Sequence, residues 1–167
     1  MARPLLSIGP GAIGPPIAVG KYMKSKIRVS FDKIEVVEGR GLGDTKTLEL
    51  NVAAGDGTVT STWPAPGSFS SVTKSQPRVF TGHEGMIGVY SVEEGDSLTK
   101  RFGVNIIEHD TGANGQDDQG VGHITLELSD GVSIVVGKAI KLYNRAGTYA
   151  GKVKVSLRAE EIGTVNS

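Results

Sequence analysis

Apolar and polar residues alternate with a period of two, turn dipeptides separate the alternating runs, and no stretch sustains a 3.6-residue period. Together these predict an all-β chain, an antiparallel β-sandwich of about seven to nine strands behind an extended N-terminal arm, with a barrel as the alternative architecture. Helix is expected in less than about a tenth of the residues. The expected division is an arm over 1–25, a sandwich over 26–162 and a short C-terminal tail over 163–167.

The arm follows from its prolines. Residues 1–20 hold Pro4, Pro10, Pro15 and Pro16, four of the seven in the chain, and proline can neither donate to a sheet ladder nor continue a helix. Gly9, Pro10, Gly11, Gly14, Pro15 and Pro16 break the apolar run after Arg3, so no signal-peptide core and no spanning helix is expected there. Lys21, Lys24, Lys26 and Arg28 then precede the first acid, Asp32. They read as a solvated hinge, with an anion-binding patch as the alternative.

The first strand alternates as Ile27, Val29, Phe31, and its phase slips before Ile34 and Val36, which a β-bulge at Asp32–Lys33 would produce. Leu48, Leu50 and Val52 mark a second half-buried strand. Further strands are expected over 79–81, 86–92, 98–108, 122–128, 132–136, 138–143 and 152–159, divided by Asp56-Gly57, Gly95-Asp96, Asp130-Gly131 and Ala146-Gly147. Residues 53–76 show no clear alternation and surround the only tryptophan, Trp63. A loop of that length is usually functional or mobile. Trp63 reads either as a contact for sugar, lipid or protein, or as a lid over one open end of the sandwich.

Composition excludes several chemistries. The absence of cysteine removes disulfides, thiolate metal sites and thiol nucleophiles, and leaves the compartment open. Lys plus Arg and Asp plus Glu balance at 18 each, so no overall field favours nucleic acid or an anionic surface. One aromatic, Tyr22, among the four N-terminal cations is far from a stacking platform, and no nucleic-acid partner is expected. His83, His109 and His123 show no metal or catalytic spacing and read as surface residues. The Gly-x-Gly runs at 9–11, 39–43 and 120–122 open no helix after a strand, so phosphate cradling lacks a scaffold. A carboxylate pair for hydrolysis is the remaining enzymatic alternative, because its separation of about 5–9 Å is set by the fold.

Two acidic loops stand out, one after Ile34-Glu35 and one after Ile107-Glu108, and both lead into Thr-Leu-Glu-Leu, at Thr47–Leu50 and Thr125–Leu128. This reads as a short repeated strand, loop, strand unit. The second loop offers Asp110, Asn114, Gln116, Asp117 and Asp118, with Gly112 and Gly115 to let it curl. Hard cations such as calcium take about six to eight oxygens from loops of this kind; the same residues also serve as ordinary turn formers.

The segments KIRVSFDKIEVVEGRGLGD and FGVNIIEHDTGANGQDDQGVGHITLEL resemble the loops and strands of C2-type calcium-binding β-sandwiches. The resemblance implies calcium as the cofactor, with Asp110, Asp117, Asp118, Glu38 and Asp44 as ligands. Such domains use the ion to engage phospholipid or to stiffen the fold. Where they present Asp-x-Asp, this chain has Glu108-x-Asp110. The function expected is therefore a non-enzymatic structural or assembly subunit, self-associating through the arm into a homo-oligomer or filament and stabilised by calcium. The alternative is a calcium-dependent domain for lipid or glycan recognition, which would need Trp63 and Phe69 at the same end as the acidic loops.

Overall fold

The computed structural model describes residues 23–39, 47–110 and 117–166. These form ten strands and no helix: β1 (Met23–Glu38), β2 (Thr47–Gly55), β3 (Thr60–Trp63), β4 (Ser70–Thr73), β5 (Arg78–Val79), β6 (Met86–Glu93), β7 (Ser97–Glu108), β8 (Asp118–Ser129), β9 (Ser133–Tyr143) and β10 (Tyr149–Asn166). All pairings are antiparallel, and the sheet curls on itself into two halves, giving the sandwich-like all-β class expected.

In one half β2 pairs β7 and β7 pairs β8, while β3 and β4 share the other edge of β2. In the second half β9 pairs β10 and β10 pairs β1, while β5 and β6 share the other edge of β1. Side chains of β6 and β7 meet across the space between the halves, where the Tyr90 and Phe102 rings stand edge to face with centroids 6.1 Å apart. Phe31, Phe80 and Phe102 are among the largest wholly buried side chains of the common core.

The bulge in β1 is where the alternation slips. Phe31 pairs Leu157 and Lys33 pairs Ser156, so Asp32 is the extra residue. Its insertion turns Ile34 and Val36 onto the same buried face as Ile27, Val29 and Phe31. The turn dipeptides also hold: Gly57 and Gly131 sit at φ of 96° and 72°, where a side chain would be strained.

Several elements differ from expectation. Residues 53–76 are not one loop but contain the end of β2, all of β3 and all of β4. Thr60-Ser-Thr-Trp and Ser70-Ser-Val-Thr are too rich in small polar residues to show a period. Residues 132–136 and 138–143 do not make two strands; one strand, β9, runs through both. Gly137, which falls between the two expected strands, is a strand residue paired with Ser156, because a lone glycine can hold extended backbone within a ladder. Strand also runs past the expected boundaries, starting at Met23 and reaching Asn166, and Lys24, Lys26 and Arg28 are strand residues rather than a hinge.

The two halves are joined at a corner. Between β8 and β9 the ladder is one pair, Gln119 with Tyr143. There Gly120 lies so close that a Cβ would meet the Lys141 carbonyl at 2.5 Å, and one on Gly122 would meet Ile140 at 2.9 Å. The Gly-x-Gly at 120–122 is thus a packing device that lets one strand cross tightly over another. Towards the turn that follows β8, the two strands part.

Candidate functional site: the acidic end and its cleft

The predicted ligands fall into separate settings. Glu38, the last residue of β1, accepts a hydrogen bond from the Tyr149 hydroxyl and a second from Lys152 at 3.4 Å. The Tyr149 hydrogen bond, followed by the charge of Lys152, holds the Glu38 carboxyl below its ordinary value. The same hydrogen bond pushes the Tyr149 phenol up to about 12. Tyr143 stands edge-on to Tyr149 with ring centroids 6.2 Å apart.

Asp110 and Asp117 do come together. The Asp110 N–H donates to Asp117 Oδ1 at 3.3 Å, and His109 Nδ1 lies 3.0 Å from the same oxygen. His109 is fixed by its own N–H, which donates to the Glu49 carbonyl at 2.8 Å, and by Phe69, stacked on its ring at 4.8 Å. Asp118 is different: it is buried as the first residue of β8, opposite Glu108 in the ladder with β7. Asp44, Asn114 and Gln116 lie outside the described residues. Among the described residues no three carboxylates or histidines gather as a metal site, although Asp110 and Asp117 are in contact.

The supposed repeat has no structural counterpart. The first unit leads from β1 to β2, which lie in different halves, whereas the second is the paired hairpin of β7 and β8.

Beside these acids, at the corner of the halves, is a cleft of about 740 Å³. Asp117 and Gln119 line one side, and Lys141, Tyr143, Asn144 and Arg145 the other. Lys141, Tyr143 and Arg145 were not predicted from the sequence. Their signal was two cations flanking a tyrosine at a strand end, a pattern too common to single out alone.

Trp63 takes the structural role. Its ring meets Phe80 edge-on at 5.9 Å, and the Arg78 guanidinium lies 4.5 Å above Phe80. It therefore seals the core between β3 and the segment after β5, while Phe69 is the aromatic that reaches the acidic end. His83 and His109 have specific partners, Arg28 and Asp117, whereas His123 is exposed on β8. No family model matches the chain, and no curated protein matches it.

Proposed function

We propose that this chain is a non-catalytic assembly subunit in which residues 1–20 of one copy add, as an extended segment, to the open edge of β9 in another. The observation that supports the reading is that edge. β9 is laddered to β10 from Ser133 to Tyr143, but to β8 only at Tyr143. Ile134 and Val136 face the core there and are only half-buried, and Lys138, also facing inward, is exposed. An inward lysine on an edge discourages indiscriminate strand pairing, so the edge suits a specific segment better than any passing strand.

Residues 1–20 have the matching chemistry. Leu5, Leu6, Ile8, Ile13, Ile17 and Val19 supply apolar side chains, and the prolines prevent a ladder among themselves. The Ser25 hydroxyl, near the start of β1, hydrogen-bonds Asp130 in the turn after β8, so β1 begins beside the place where β8 and β9 part. Twenty extended residues span at most about 70 Å, enough to leave one sandwich and cross to the next. Strand addition of this kind obtains affinity from main-chain hydrogen bonds and specificity from alternate side chains. A contact that closes gives a ring, and one that does not gives a filament. Calcium enters the reading as a stiffening ion at the acidic end, drawing on Asp110 and Asp117.

The test is removal of residues 1–20, with particle size followed by light scattering. The expected product is a folded, smaller species, and the untruncated variant I134K/V136K should shrink likewise. A parent chain that is already monomeric, or a size unchanged in either variant, overturns the proposal.

A further inference from the structure

We propose that the cleft at the β8–β9 corner binds an acidic glycan, a chain of sugar rings carrying carboxylates. Among the described residues neither Lys141 nor Arg145 makes a hydrogen bond or a close ion pair, and Lys141 acts on Glu38 only through its charge. Most other cations near the core are engaged, as Arg28 and Arg158 are with Glu160, and Lys152 is with Glu38. Two cations on one wall face a single carboxylate, Asp117, on the other, and this balance favours an anion in the space between.

The remaining lining favours a sugar over a bare anion. Tyr143 is 42% exposed, and its contact with Tyr149 is edge-on, which leaves ring surface for a pyranose to cover. Gln119 uses its Nε2 on Asn105, and Asn144 uses its Oδ1 on the Thr148 N–H. One amide oxygen and one amide nitrogen therefore remain to meet hydroxyls, which both donate and accept. The volume falls in the ordinary range of about 300–1,000 Å³ for ligand clefts. A phosphate site would call for a glycine-rich turn of free amides, but Gly120 and Gly122 are strand residues packed on β9.

The experiment titrates the full chain with tetragalacturonate, neutral cellotetraose and inorganic phosphate, by calorimetry and by amide chemical shifts. Tetragalacturonate is expected to bind at least about tenfold more tightly than cellotetraose, with shifts centred on Gln119, Lys141 and Tyr143. K141Q and R145Q should each weaken it by about tenfold, and Y143A should weaken both sugars. These side chains are exposed, so unchanged melting temperatures will show that the variants are folded. Equal binding of the neutral sugar, equal binding of phosphate at the same amides, indifference to R145Q, or no binding would each overturn the proposal.

Discussion

The guanidinium of Arg28 donates to Nδ1 of His83 at 2.9 Å, reaching from β1 to the segment between β5 and β6. Because arginine only donates, His83 accepts at Nδ1 and carries its proton on Nε2. The other arm of Arg28 holds Glu160 at 2.6 Å, and Arg158 ties Glu160 to Asp32, the bulged residue of β1. Arg28 is 7% exposed, so its charge depends on these partners. Arg28→Ala removes the buried guanidinium and both its contacts while Glu160 keeps Arg158, and is expected to cost about 2 kcal/mol; His83→Ala should cost only about 1 kcal/mol because the Arg28–Glu160 ion pair survives. Urea unfolding of both variants checks the order, and a larger loss for His83→Ala would refute it.

Asp56 carries a pH dependence of known sign. The N–H of Val59 first, then the Tyr90 hydroxyl and the N–H of Thr58, with Lys100 further off, lower its pKa to about 2. Its folded value lies below its ordinary one of 3.8, so the stability it contributes is full above about pH 4 and disappears as pH falls to about 2. Allowing for solvent screening at the turn, that contribution is about 1–2 kcal/mol. Asp56→Asn should be less stable than the parent at pH 7 by about this amount, with the gap narrowing towards pH 2. A gap that does not change with pH would contradict the assignment.

Two glycines in one sheet should respond unequally to a methyl group. On Gly120 it would meet the Lys141 carbonyl at 2.5 Å, and on Gly103 nothing nearer than 3.9 Å. Gly120→Ala is expected to lose about 1–3 kcal/mol and to speed amide exchange at Gln119 and Tyr143. Gly103→Ala should stay within about 0.5 kcal/mol of the parent. Equal melting temperatures for the two variants would mean that the corner is not tightly packed.

Calcium at the acidic end would stabilise the fold by mass action, by about 2.7 kcal/mol at a hundredfold excess over its dissociation constant. The melting temperature should rise in millimolar calcium, and Asp117→Asn should abolish the rise. The same melting temperature in calcium and in chelator would remove the ion from the account.

The parts of the fold legible in the sequence are those where one face alone decides the pattern. Ile27, Val29 and Phe31 against Ile34 and Val36 located both a strand and its bulge, because a one-residue slip reverses every side chain. Thr60–Trp63 and Ser70–Thr73 stayed hidden because their register comes from lying beside β2, not from their own side chains. Gly137 marked a false break because a lone glycine weakens a strand without ending it. At the acidic end, local spacing found Asp110 with Asp117 but could not tell that Asp118, one residue on, turns inward into the ladder. The cleft was out of reach, since Gln119 and Lys141 meet only through the bend of a long hairpin.

The pairing of β1 with β10 sets a time order on folding. Met23 lies opposite Asn166 and Phe31 opposite Leu157, so the longest ladder in the sheet joins residues more than a hundred positions apart. During synthesis β1 leaves the ribosome well before β10 and stays without this neighbour until the eight described strands between them have been made. At about 5–20 residues per second the wait is about 7–30 s. Such non-local topology folds slowly, commonly in milliseconds to seconds once the whole chain is free. Until then Ile27, Val29 and Phe31 remain available to any other apolar strand, which makes the nascent chain, rather than the finished sandwich, the stage most exposed to mispairing.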